Sequence, residues 1–285
     1  DLLEALAKMG QVGRIEILPR HARESEFAVP NGMRQFIACP GRLGYARRAL
    51  FLALTRRPDV IYCGHAFMAP LAHLAARLAR ARLVSHVHGL EVWQPLSRLA
   101  RRGLAASDLI LCVSKHTAAK VATAVDIDPA RCAVIFNTVD ERFTPGDRLA
   151  ARTQFGLAPG ARVLSTVSRL DPGQRHKGHD RVIPLLPELA QNIPNLVYLI
   201  AGDGADKQRL AALAERHGAG KLVRFLGYVQ AEDLPDLYRA SDLYVMPSHG
   251  EGFGIAFVEA MACGTPALGL DLGGAEHGVG AAGGP

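Results

Sequence analysis

Glu251 and Glu259 stand eight positions apart in the stretch SHGEGFGIAFVEAMACGTP, residues 248–266, around glycines at 250, 252 and 254. The glycines let the backbone turn tightly and approach a ligand. The helix expected from about Phe257 opens with N–H groups that no helical carbonyl takes up, and such a start favours an anion, phosphate in particular. Carboxylates beside a phosphate make sense if they face its hydroxyl-rich neighbour, a sugar or a ribose, while cations elsewhere hold the phosphates. Two such cations occur in VSRLDPGQRHKGHDRVI, residues 167–183. Arg169 comes at the end of an expected strand and Lys177 stands at the start of the next expected helix, a strand-to-helix turn suited to a diphosphate. Taken singly, the glutamate spacing is equally that of a glycine turn with a surface glutamate, and each cation equally a surface charge. Their occurrence together, in order, carries the information.

The elements that must position them alternate short β-branched runs with alanine- and leucine-rich segments. In the first half the strands are expected at 14–18, 59–63, 82–88, 108–114 and 132–136; in the second at 162–170, 195–204, 221–229, 242–248 and 265–271. Helical patterns lie between them, an order that predicts parallel sheets covered by helices. The segment NTVDERFTPGD, residues 137–147, loses the pattern and carries turn-forming residues, so it reads as the linker. The expected fold class is α/β, with two Rossmann-like parallel-sheet domains, 1–140 and 141–285, facing each other across a cleft and ligands at the carboxyl ends of the strands.

Composition narrows the function. At 285 residues, 49% hydrophobic and 21% charged, the chain has material for a large core and about two domains. The five cysteines are widely spaced with no CxxC pair, which suggests neither a disulfide framework nor a zinc site and fits a reducing cytoplasm. No apolar run approaches the roughly 20 residues that span a bilayer. The net charge of +6 is uneven: residues 1–140 hold 19 Lys+Arg against 11 Asp+Glu, a balance of +8, and the remainder 14 against 16, a balance of −2. The excess lies in YARRALFLALTRRPD, AARLARARL and LSRLARRGLA, amphipathic helices with a basic face. Such faces attract anionic lipid head groups, or are simply solvated; Arg42, Arg47 and Arg48 could equally help bind an acidic acceptor. Nucleic acid is disfavoured, because aromatics are only 6% and no nucleic-acid-binding motif occurs. No divalent metal is implied, and no metal ligand is assigned.

In this order and at these intervals, the Arg169–Lys177 stretch, LIAGDG (199–204) and the glutamate stretch resemble the nucleotide-sugar half of glycosyltransferase family 4, retaining enzymes of the GT-B fold. HVHGLEVW (86–93) is similar to that family's histidine loop, CVSKHT (112–117) to its short serine segment and IFNTVDERFTPG (135–146) to its entry to the second domain. The resemblance implies Arg169 and Lys177 on the donor diphosphate, Glu259 on the ribose, Glu251 near the sugar hydroxyls and His88 facing the transferred sugar. It also implies Gly252, Phe253, Gly254 and Ile255 as donor-lining residues. The implied reaction moves mannose or another hexose from GDP or UDP to a glycan or lipid-linked acceptor in polysaccharide or lipopolysaccharide assembly. No cofactor or metal is expected, and the implied setting is the cytoplasm or the inner face of the plasma membrane, with peripheral contact to anionic lipid. A nucleotide-sugar epimerase of the same fold and a non-catalytic nucleotide-sugar-binding module are the alternatives. Two departures stand out. PGQRH lengthens the interval from Arg169 to Lys177, which leaves Arg175 and His176 as further candidates for the phosphates. The family's first strand and glycine loop, and the residues after its last glycine-rich turn, have no counterpart here, so truncation at both ends is expected.

Overall fold

The structure is a computed structural model that describes residues 2–21, 32–39 and 41–270. The glycine-rich tail from 273, and the end of the last expected strand at Asp271, lie outside the described residues. The chain divides into two compact units, one of Asp1–His86 with Ser97–Ile110 and one of Val87–Leu96 with Leu111–Pro285.

All ten expected strands form, somewhat shorter than read from the sequence. The first unit opens with the helix Leu2–Lys8 and a two-stranded parallel sheet of β1 (Ile15–Ile17) and β2 (Met33–Gln35). Strand β2 was not expected, because MRQ is three residues long and mostly polar and gives no period to detect. Strands β3 (Val60–Cys63), β4 (Arg82–Val87) and β5 (Leu109–Cys112) follow in that order in a four-stranded sheet, whose last strand, β6 (Cys132–Val134), is counted with the second unit. The basic segments contribute to the helices Arg42–Arg56, Ala69–Ala79 and Arg98–Ala105, but AARLARARL is helical only as far as Ala79, because Arg80 turns left-handed and Arg82 already belongs to a strand.

The second unit is built on five parallel strands: β7 (Arg162–Val167), β8 (Leu196–Ala201), β9 (Val223–Gly227), β10 (Leu243–Met246) and β11 (Ala267–Gly269). Their spatial order is β11-β10-β7-β8-β9. The near-continuous apolar run LVYLIA makes β8 a strand buried on both faces, as parallel sheets require. Its alternate side chains feed two cores: Tyr198 and Ile200 pack with Leu170, Ile183 and Leu186, whereas Leu199 and Ala201 pack with Val163 and Leu237. A third cluster, Phe143, Tyr238, Tyr244, Met246 and Phe257, lies under the helix Ile255–Ala262. The chain runs outward from β7 through β8 to β9, then returns to the other side of β7 with β10 and β11. That reversal makes the carboxyl ends of β7 and β10 flank a topological switch point, the place where open α/β sheets bind ligands.

Candidate active site

Both expected cation and carboxylate segments leave the sheet at this switch point. From β7 the chain continues through Ser168 and Arg169 into a 3-10 stretch, Pro172–Lys177, and then the helix His179–Val182. Lys177 therefore closes a tight turn instead of starting the helix, because Gly178 intervenes at φ 88°. From β10 the chain enters the turn that carries Glu251. The two segments meet: Lys177 Nζ donates to Glu251 Oε1 at 2.7 Å, the two side chains being 18% and 8% exposed. The backbone joins as well, with His249 N donating to the His176 carbonyl at 3.1 Å. In a pair this sheltered, removing either partner would leave the other without its counter-charge. An incoming anion can take the ammonium, and hydroxyl donors on the same ligand can then take the carboxylate.

The glycine turn is shaped by a close approach. A Cβ on Gly252 would lie 1.8 Å from the His88 carbonyl oxygen, so no larger residue fits. His88 is exposed, and its backbone N–H is held by the Glu91 carboxylate. The structure thus brings the histidine loop against the Glu251 turn within one unit. Phe253 is buried and stacks on Phe136 with centroids 6.0 Å apart, so what it can offer a ligand is its backbone. Gly254 takes a left-handed conformation and the helix begins at Ile255, two residues before the expected Phe257. Ile255 is partly exposed at that helix start.

Glu259 lies one turn into this helix, half-buried, and its Oε2 accepts from Tyr238 Oη at 2.7 Å. Burial pushes its carboxyl above the usual carboxylate range, while the Tyr238 hydrogen bond and the nearby Arg142 charge act in the opposite direction. Tyr238 is fully buried among Phe143 and Tyr244. It is a partner of Glu259 that sequence reading missed, since a tyrosine on the buried face of an amphipathic helix looks like any core residue.

Arg169 is exposed and makes no hydrogen bond or ion pair with a described residue. The LIAGDG glycines explain its placement: Gly202 lies directly under the Ser168 carbonyl and Gly204 under that of Leu170, so the loop after β8 buttresses the strand end that carries Arg169. Of the two further phosphate candidates, Arg175 reaches Asp206 at 3.4 Å, a carboxylate already gripped by Arg209 at 2.6 Å. His176 packs over Gly250 and edge-on to His249, with its Nε2 buried and without a hydrogen-bond partner. Burial and the adjacent Lys177 charge hold its pKa below the usual imidazole value. Among the described residues no group of three or more His, Cys, Asp or Glu could hold a metal ion.

Residues 1–143 match the model for Glycosyltransferase Family 4, and residues 147–283 that for Glycosyl transferases group 1. The D-inositol 3-phosphate glycosyltransferase of Segniliparus rotundus is 34% identical over 212 residues, covering 72% of this chain and 46% of that protein. Its counterpart in Mycolicibacterium vanbaalenii is 35% identical over 214 residues, with 72% and 48% covered. The chain thus spans about half the length of the curated relatives it matches. Among solved structures, HepE of Anabaena, crystallised in complex with UDP, aligns with a TM-score of 0.71 at 26% identity over 85% of this chain and 68% of that one. Sucrose-phosphate synthase of Thermosynechococcus elongatus aligns with a TM-score of 0.72 at 22% identity over 95% and 74%, a likeness of fold. Two family models that together cover almost the whole sequence, and a shared α/β architecture, establish that the chain belongs to glycosyltransferase family 4, of the GT-B fold.

Proposed function

We propose that the protein to which this chain belongs transfers a hexose, with retention of configuration, from a UDP or GDP sugar to a glycan or lipid-linked acceptor. The observation that carries the donor side is the sheltered Lys177–Glu251 pair at the switch point of the second sheet. A cation and a carboxylate held in contact match a ligand with an anionic diphosphate next to a polyhydroxylated ring. Support comes from HepE, which was crystallised with UDP-glucose.

In this reading Lys177 and Arg169 neutralise the departing diphosphate, Glu251 takes sugar hydroxyls, Glu259 takes the ribose, and His88 contacts the transferred sugar. Gly252, Phe253, Gly254 and Ile255 offer backbone to the donor. A diphosphate leaves without general-acid help, so the two glutamates need not be an acid and base. Their position in one turn and helix also argues against a glycosidase pair, which must flank the bond. Because cations in the site stabilise the charge that develops on the leaving group, no metal is assigned to the reaction. A domain boundary near residue 140 is part of the proposal, supported by the change of family model between residues 143 and 147.

On the acceptor side, mannose transfer in polysaccharide or lipopolysaccharide assembly at the cytoplasmic face of the membrane is retained as one reading. The names of the relatives at 34–35% identity favour a second, a small polyol phosphate, which would also suit the excess positive charge of residues 1–140. The donor assignment is tested by thermal melts of the chain with UDP, GDP, ADP and their sugar conjugates, repeated with Glu259→Gln. One nucleotide should raise the melting temperature by mass action, and the variant should lose that shift. No shift with any nucleotide would remove the donor assignment.

A further inference from the structure

Behind the site, a buried chain of side chains connects the strands that carry it. Ser168 Oγ lies 2.8 Å from His179 Nε2, and His179 Nδ1 3.2 Å from Tyr198 Oη. Tyr198 Oη is in turn 2.6 Å from Thr166 Oγ1, which donates to the Val245 carbonyl. The direction of every bond follows from the last one. A carbonyl only accepts, so the single Thr166 hydroxyl hydrogen points to Val245, and Thr166 must accept from Tyr198. Tyr198, having given its hydrogen, must accept from His179, which therefore carries its proton on Nδ1. The bare Nε2 then accepts from Ser168. Thr166, Tyr198 and His179 are buried, so water cannot replace a lost link.

The two ends of this chain are the two halves of the candidate site. Ser168 precedes Arg169, and His179 follows Lys177 by two residues. Val245 is on β10, whose continuation at Pro247 presses on Gly178: a Cβ there would be 2.5 Å from the Pro247 carbonyl oxygen. We propose that the directed chain Ser168–His179–Tyr198–Thr166–Val245 is a positioning device that sets the spacing between the cationic segment 169–177 and the glutamate turn 247–251. The inference rests on the nucleotide-sugar reading. Burial holds the His179 pKa down to about 4, against the opposing pull of Asp180 and Asp206, with Lys177 and Arg209 acting in the same direction as burial. The ring accordingly stays neutral, with one donor and one acceptor nitrogen, as the chain requires.

Ring-nitrogen NMR of His179 at neutral pH, together with binding of UDP, GDP, UMP and GMP to wild type, Thr166→Val and His179→Gln, tests the proposal. Tyr198→Phe serves as a further variant should one of these not fold. The Nδ1–H tautomer is expected. Affinity for the preferred diphosphate should fall about tenfold in the variants, and that for the monophosphate much less, since the ribose carboxylate Glu259 lies outside the chain. A protonated Nε2, or a diphosphate affinity within about twofold of wild type in variants whose melting point has dropped, overturns the positioning role and leaves a merely structural one. Wild type that binds no nucleotide overturns the donor reading itself, and the positioning role with it, while the tautomer still reports whether the hydrogen-bond chain exists.

Discussion

Lys177 and Glu251 are separated by 74 positions, yet their side chains touch at 2.7 Å in a place largely closed to water. Removing one member of such a pair leaves the other charge stranded, which is worse than having neither. Lys177→Met is therefore expected to cost about 2–4 kcal/mol of stability, and Lys177→Met/Glu251→Gln to recover at least half of that while nucleotide binding remains lost. Chemical denaturation of these two variants and of Glu251→Gln alone checks this, and additive losses would show that the pair does not interact. Glu259 shows a related tension. Its raised pKa means that ionising it in the folded state is unfavourable, so its contribution to stability declines as pH rises from the ordinary carboxylate range through the folded value.

At the scale of elements, the decisive contacts are close approaches of backbone. The Gly252 turn fits against the His88 loop with no room for a methyl group, and the obstacle is a carbonyl oxygen that cannot rotate away. Gly252→Ala is expected to lower stability by about 2–4 kcal/mol, or to displace the turn and abolish nucleotide binding. A variant with normal melting and normal affinity would contradict the packing described. In the other unit, the helix Arg42–Arg56 exposes Leu43 (81%), Phe51 (56%) and Leu54 (51%) beside the exposed Arg47 and Arg48. No described helix is long and apolar enough to cross a membrane. An apolar stripe edged by arginine suits the surface of an anionic bilayer, where attraction and burial act together. Sedimentation with phosphatidylglycerol vesicles should show binding that weakens as salt rises and is lost in Arg47→Glu/Arg48→Glu. Binding unaffected by both salt and these substitutions would dismiss the surface.

At the scale of the whole molecule, acid sensitivity has a specific source. His179 has a folded pKa of about 4, below the ordinary histidine value of about 6.5, so the unfolded chain binds more protons between those limits. Stability from this residue is complete above the unfolded pKa and is lost as pH falls toward the folded one, by up to about 3 kcal/mol. His176, also held below its ordinary value, adds in the same direction. Asp180 and Asp206, whose pKa values Arg209 lowers, are lost only at more acid pH, below the ordinary carboxylate value. Melting temperature should therefore fall from pH 7 to pH 5, and His179→Gln should flatten that slope. An equal slope in the variant would place the acid sensitivity elsewhere.

The sequence by itself determined the ten strands it led one to expect, because β-branched and apolar runs of that length bury their side chains wherever they are placed. It also determined which segments carry the candidate chemistry, because glycine turns next to charged residues at strand ends are local patterns. It did not show β2, whose three mostly polar residues are held by their neighbour strand, nor that Lys177 closes a 3-10 turn ahead of the helix. Tertiary structure alone decided the strand order that turns back on either side of β7, and hence that residues 74 positions apart form an ion pair. It alone joined Tyr238 to Glu259 and fixed the proton on His179 by way of a carbonyl on another strand. The reason is physical: a side chain's type is written in the chain, but its partner, its exclusion from water and therefore its charge state exist only once distant segments have packed together.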